Sequence, residues 1–185
     1  VYTENQVIDK GFVHIKDGKI ADVGEGHFKE VASQESIQHI DAEGQHIVPG
    51  FIDIHIHGGY GEDAMDASYE GLQHLAESLL SEGTTSFLAT TMTQSTDNIN
   101  RALKNIAKYQ SQQDEHSAAE IVGIHLEGPF ISEHKVGAQH PKYVQRPSVE
   151  QIHAFQNVSN GLIKIITFAP EVDNAKETLN AMKDD

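Results

Sequence analysis

The sequence predicts an α/β fold in which strand–helix alternation builds a parallel sheet, and three observations carry that prediction. Strand-like and helix-like segments alternate four times after Pro49, the order that crossover helices impose on parallel strands. The strand-like segments are rich in β-branched residues, whereas the helix-like ones carry apolar residues at helical spacing. No Gly-x-Gly-x-x-Gly run follows a strand, which speaks against a dinucleotide-binding domain. A (β/α)8 barrel typically needs ~250 residues. Four units within 185 residues therefore leave two readings, a small open sheet or the first half of a TIM-type barrel.

Residues 1–48 read as short β elements ahead of that alternation. Residues 11–16 and 19–23 flank Asp17-Gly18, a dipeptide that supplies the positive φ angles of a tight hairpin turn. A second strand pair is expected at 37–40 and 45–48, with residues 41–44 turning between them. His14, His39 and His46 read as solvent-facing strand residues. From Pro49 the rhythm changes. Residues 51–57 form a strand, followed by a helix at about 68–82 that Ser68 caps and Gly83 stops. A strand at 84–91 and a helix at about 96–110 come next, then a strand at 120–127. Ser148-Val149-Glu150-Gln151 predicts a capping box opening a helix to about Asn157. A strand at 162–169 and a last helix from near Asp173 complete the order. The expected boundaries are a small domain at 1–48 and the β/α units at 49–185.

Composition narrows the class. Hydrophobic residues make up 38% and charged residues 22%, the balance of a globular chain. The formal net charge of −15 argues against nucleic acid or an anionic membrane as partner. A small anionic substrate remains compatible with it. There is no cysteine, hence no disulfide framework and no thiolate zinc site, which fits a reducing compartment such as the cytoplasm. No apolar run approaches the ~18 residues of a membrane span, and the polar start Val1-Tyr2-Thr3-Glu4-Asn5 does not read as a signal peptide.

The chemistry-bearing residues lie at two strand ends. In residues 51–57 side chains alternate with period 2. Ile52, Ile54 and Ile56 share a face that calls for helices, and Asp53, His55 and His57 share the other. Along 120–127, Val122, Ile124 and Leu126 are expected to face helices, with Gly123, His125 and Glu127 opposite. Two imidazoles and a carboxylate at one rim of a parallel sheet suit a divalent metal such as Zn²⁺ or Fe²⁺. Asp53 is expected to orient the second ring nitrogen of His55. His125 reads as a buried, hydrogen-bonded core histidine, while Glu127 alone would pass for a loop ion-pair partner.

Two motifs carry a resemblance. Val48-Pro49-Gly50-Phe51-Ile52-Asp53-Ile54-His55-Ile56-His57-Gly58 resembles the first-strand signature of the amidohydrolase superfamily. His125-Leu126-Glu127-Gly128-Pro129-Phe130, followed by Gly137-Ala138-Gln139, resembles the N-acetylglucosamine-6-phosphate deacetylase family within it. The resemblance implies that residues 1–48 are strands of a small β-sandwich domain preceding the first half of the barrel. It implies that Glu127 binds the metal common to the family, and that His55 and His57 hold a second metal in members with two. Ala138 and Gln139 match loop positions that contact the sugar, with His140 adjacent. The remaining metal-binding histidines, the phosphate-binding residues and a catalytic general acid/base aspartate are then expected beyond Asp185, so residues 1–185 alone are expected to be inactive. The implied substrate is a small amino-sugar phosphate, the implied cofactor one or two divalent Zn or Fe ions, and the implied full-length assembly a homodimer. Two other readings stay open: a dihydroorotase-like or deaminase amidohydrolase, and a non-catalytic half-barrel that binds a metal or sugar phosphate.

Overall fold

The computed structural model describes residues 1–29, 37–113 and 117–182. It contains two compact units, Val1–Gly50 and Phe51–Asp185. In the first unit, β1 (Gly11–Lys16) pairs antiparallel with β2 (Lys19–Glu25). Asp17 and Gly18 join them at φ +52° and +70°, the primed-turn geometry this dipeptide favours. The strand pair expected at 37–40 and 45–48 does not form. The turn between its halves is present, with Glu43 N–H donating to Asp41 Oδ1 at 2.8 Å and Gln45 N–H to the Ala42 carbonyl at 2.8 Å. Its flanks pair elsewhere: the Ile47 carbonyl accepts from Tyr2 N–H at 2.9 Å, and Ile40 is 85% exposed. His39 and His46 therefore lie outside strands, and the His46 ring packs on Tyr2. His14 lies in β1, its ring 4.3 Å from that of Phe28.

The second unit is a parallel sheet in the order β3 (Phe51–Ile56), β6 (Thr84–Thr90), β7 (Glu120–Glu127), β8 (Ile163–Thr167). A two-residue ladder of β4 (Gly58–Gly59) and β5 (Glu62–Asp63) follows β3 directly. The crossovers are α1 (Tyr69–Leu79), α2 (Thr96–Gln110) and α3 (Val149–Val158), with α4 (Ala175–Ala181) after β8. Residues 183–185 of the expected last helix lie outside the described residues. The hydroxyls of Ser68, Ser95 and Ser148 each accept a backbone N–H three residues on, satisfying a donor that would otherwise be orphaned at a helix start. The capping box at Ser148 is only half made. The Gln151 side chain does not reach back to Ser148 but donates to Gln145 Oε1 at 2.7 Å.

One core holds the helices on the sheet. Leu72, Leu75, Ala76 and Leu79 from α1 and Ile99, Leu103 and Ile106 from α2 bury against Phe87 and Ala89 of β6 and Ile121, Ile124 and Leu126 of β7. Two expectations about strand faces need correction. Val122 is exposed, because Phe87 pairs with Ile121 while Leu88 pairs with Gly123. One extra residue in β7 bulges out and resets the alternation, so Ile124, His125, Leu126 and Glu127 still point as predicted. Among the described residues, no helix covers Ile52 and Ile54 on the isoleucine face of β3. Ile52 and Ile54 are 65% and 56% exposed, and only Ile56 packs against the core. The reason is position: β3 is an edge of the sheet, and the core of α1 and α2 centres on β6 and β7.

Candidate metal centre

Parallel register brings the ends of all four strands to one rim. β3 stops at Ile56, one residue earlier than expected, and His57 is the first residue beyond it. Thr90, the last residue of β6, fixes this step twice. Its hydroxyl accepts from Ile56 N–H at 3.0 Å, and its carbonyl lies 3.1 Å from His57 Nδ1. The His57 carbonyl accepts from Ala64 N–H at 2.8 Å, which folds β4 and β5 back beneath it. Gly58 is required here, since a Cβ would lie 2.0 Å from the Glu62 carbonyl oxygen. Asp53 does not reach the His55 ring. Its Oδ1 accepts from the His55 backbone N–H at 2.9 Å.

His55, His57 and Glu127 converge, with one ligating atom from each lying within 4.8 Å of the others. Glu127 Oε2 lies 2.9 Å from His57 Nε2 and 3.9 Å from His55 Nε2. A carbonyl can only accept, so His57 Nδ1 must carry a proton toward Thr90, and a neutral His57 then has a bare Nε2. In that form two lone pairs, one on imidazole and one on carboxylate, face each other at 2.9 Å. That arrangement needs a cation or a proton between them. Separations of 2.9 and 3.9 Å both fit two ligands that each sit about 2.0–2.2 Å from a shared ion. The donor set fits a divalent transition metal.

The loop after β7 supplies the support. Gln139, 8% exposed, donates Nε2–H to Glu127 Oε2 at 2.8 Å, while its Oε1 accepts from Thr93 N–H. Its side chain thus ties the Glu127 carboxylate to the Thr93 backbone. Ala138 beside it is exposed. The His140 Nδ1 accepts from Lys142 N–H at 3.2 Å and caps a short 3-10 turn. His125 is 7% exposed, with Nε2 at 2.8 Å from Thr167 Oγ1 and Nδ1 at 3.1 Å from the Ile54 carbonyl. Burial holds its pKa below the ordinary histidine value, against the raising effect of the Ile54 carbonyl. Thr90, Thr93 and Thr167 were not singled out from the sequence. The signal for Thr90 and Thr167 was their place at strand ends level with His57 and Glu127.

Gly128 lets the chain leave β7 right after the ligand. It has φ +76°, and a Cβ would lie 1.9 Å from Thr93 Oγ1. We expect Gly128→Ala to lose about 2–4 kcal/mol of stability, the left-handed penalty plus overpacking. Gly137→Ala, at φ +59° with open space around it, should lose only about 1–2 kcal/mol. Urea unfolding of both variants checks the difference, and equal losses would show that the Thr93 contact does not matter.

Residues 46–184 match the profile of the Amidohydrolase family. With the rim described above, the chain belongs to that family of metal-dependent hydrolases. Among named relatives, N-acetylglucosamine-6-phosphate deacetylase of Bacillus subtilis (strain 168) is 45% identical over 186 residues, covering 100% of this chain and 46% of the relative. Among solved structures, N-acetylglucosamine-6-phosphate deacetylase from Thermotoga maritima superposes with TM-score 0.69 at 32% identity, over 92% of this chain and 41% of that one. A mutant of the Mycobacterium smegmatis enzyme of the same name, in complex with N-acetyl-D-glucosamine-6-phosphate, gives TM-score 0.72 at 27% identity, over 91% and 41%. The chain thus spans about half the length of the curated relatives it matches. Among the described residues, no helix is long and apolar enough to cross a membrane.

Proposed function

We propose that this chain is the metal-binding front half of an enzyme that hydrolyses the acetamide of N-acetyl-D-glucosamine 6-phosphate, giving D-glucosamine 6-phosphate and acetate. The observation that carries the reading is the convergence of His55, His57 and Glu127 at one rim, one ligating atom from each lying within 4.8 Å of the others. The similarity to deacetylases so named supports the substrate. The mixed imidazole and carboxylate set favours Zn²⁺ or Fe²⁺, one ion or two. The exposed residues Phe51, Ile52 and Ile54 at the β3 edge support closure of the sheet into a barrel by further strands, with the first unit as part of a small β-sandwich.

A divalent ion held by His55, His57 and Glu127 would supply Lewis-acid polarisation of the amide carbonyl and a water of lowered pKa. The residues of this chain make that possible by position. Thr90 fixes the His57 ring so that its free nitrogen points into the rim, and Gln139 fixes the Glu127 carboxylate beside it. Ala138, exposed one residue before Gln139, is assigned to the border of the sugar on the resemblance of this loop to the deacetylases. The proton that leaves the attacking water and reaches the departing amine is assigned to an aspartate outside residues 1–185. The test is acetate release by the Zn²⁺- or Fe²⁺-loaded full-length protein. We expect acetate from N-acetylglucosamine 6-phosphate, no ring opening of dihydroorotate and no ammonia from nucleobases. Turnover of the latter two in place of the sugar would sink the reading.

A further inference from the structure

Away from the rim, the exposed side of α2 carries a second concentration of charge. A cavity of about 400 Å³ lies between α2 and the Asp66-Ala67 turn that leads into α1, and Arg101, Lys104, Asn105 and Lys108 complete its lining. In a chain of formal net charge −15, three of its 13 lysines and arginines meet there. They follow one another at helical spacings of three and four residues, so they share a helix face, where like charges repel by about 0.2–0.5 kcal/mol per pair. Asp66 is the one acid in the lining, which leaves two positive charges in excess. Among the described residues, no ion pair neutralises any of the three cations, and Asp97, one turn before Arg101, does not do so either.

Two of the lining groups are suited to a ligand. The Lys108 ammonium sits 5.1 Å from the centre of the Tyr69 ring, a cation–π contact that limits its motion. Asn105 has its Nδ2 buried without a hydrogen-bond partner among the described residues, and an unmet buried donor costs about 1–3 kcal/mol. A half-turn of the amide exchanges nitrogen and oxygen without changing its shape, which lets the donor meet an acceptor in the cavity.

We propose that this cavity binds a phosphate dianion, free or as a phosphomonoester, at a site separate from the metal rim. The group carries about −1.5 to −2 charges near neutral pH, the charge that the lining lacks. Its oxygens accept from guanidinium, ammonium and amide N–H alike. The space suits a small molecule, whose sites measure about 300–1,000 Å³. A polyanion is disfavoured, because the formal charge of −15 on the chain repels it. None of the lining residues belongs to the rim, and binding here does not depend on a metal ion.

The test is equilibrium dialysis of the metal-free full-length protein against radiolabelled inorganic phosphate, at an ionic strength held constant with NaCl. Arg101→Gln/Lys104→Gln is expected to bind one phosphate fewer per chain than the wild type, or to bind it about tenfold or more weakly. The charge-conserving Arg101→Lys/Lys104→Arg should keep it. Without phosphate the glutamine variant should melt no lower than the wild type, since both positions are exposed and a repulsion is relieved. Competition with glycerol 3-phosphate separates the two sources. Displacement at the same concentration as unlabelled inorganic phosphate assigns the site to the phosphate group alone, and displacement at a far lower one assigns it to a phosphomonoester. Equal phosphate binding by the wild type and the glutamine variant would overturn the proposal. A changed oligomeric state in that variant with phosphate binding intact would overturn it too, in favour of an interface between copies.

Discussion

Glu127→Gln is expected to abolish nearly all acetate release by the full-length protein and to weaken divalent-metal binding sharply, while the melting temperature of the metal-free protein stays close to that of the wild type. The physical argument starts from what Oε2 does. It receives Nε2–H of Gln139 at 2.8 Å and faces His57 Nε2 at 2.9 Å. A glutamine can still accept from Gln139 with its amide oxygen, so the local packing survives. It cannot supply the negative charge that offsets a dication between two neutral imidazoles. Loss of the several kcal/mol that a bound Lewis acid contributes, at about 1.4 kcal/mol per tenfold, amounts to roughly a thousandfold in rate. Glu127→Asp keeps the charge but withdraws the oxygen from both partners, and should fall between the two. Colorimetric acetate assay with metal analysis of each variant checks the order, and a Glu127→Gln enzyme retaining more than a tenth of wild-type activity would contradict it.

Phe130→Ala is expected to be the most damaging single truncation for stability in the second unit. Phe130 is fully buried, with its ring 6.4 Å from those of both Phe155 of α3 and Phe168 just past β8. Its carbonyl accepts from Ala169 N–H at 2.9 Å. The side chain thus anchors the segment that carries Glu127 against two later elements. Aromatic-to-alanine changes in such cores cost about 3–5 kcal/mol. Phe130→Leu should recover most of that loss. Denaturant unfolding measures both, and a Phe130→Ala loss below about 1 kcal/mol would mean that the loop holds itself.

Much of this was legible from residue order. Helix α2 and strand β7 have the predicted ends, because apolar spacing in Ile99, Ala102, Leu103 and Ile106 and the β-branched density near 120–127 are local signals. The convergence of His55, His57 and Glu127 was legible too, since alternation and parallel register suffice to bring strand ends together. What was not legible depends on partners distant in sequence. Ile40 and Ile47 have strand-like neighbours, yet the Ile47 carbonyl bonds to Tyr2 rather than to residues 37–40. The exposure of Ile52 and Ile54 follows from β3 being an edge, which no alternation pattern in β3 itself reports. The bulge at Val122 arises from pairing with β6. Asp53 was expected at a ring nitrogen and binds the His55 backbone N–H, two residues on, the commonest short-range habit of an aspartate. The bond from Gln139 to the Glu127 carboxylate, reaching from a loop twelve residues away, was not legible either.

The central claim is that His55, His57 and Glu127 jointly hold a divalent ion, and anomalous diffraction at the absorption edge of Zn or Fe from crystals of the metal-loaded full-length protein tests it most directly. The account predicts a peak about 2.0–2.2 Å from Nε2 of His55, Nε2 of His57 and a Glu127 oxygen, with Gln139 still bonded to that carboxylate. A fully loaded crystal whose anomalous peaks leave all three side chains without an ion, the His57–Glu127 contact intact, would contradict it.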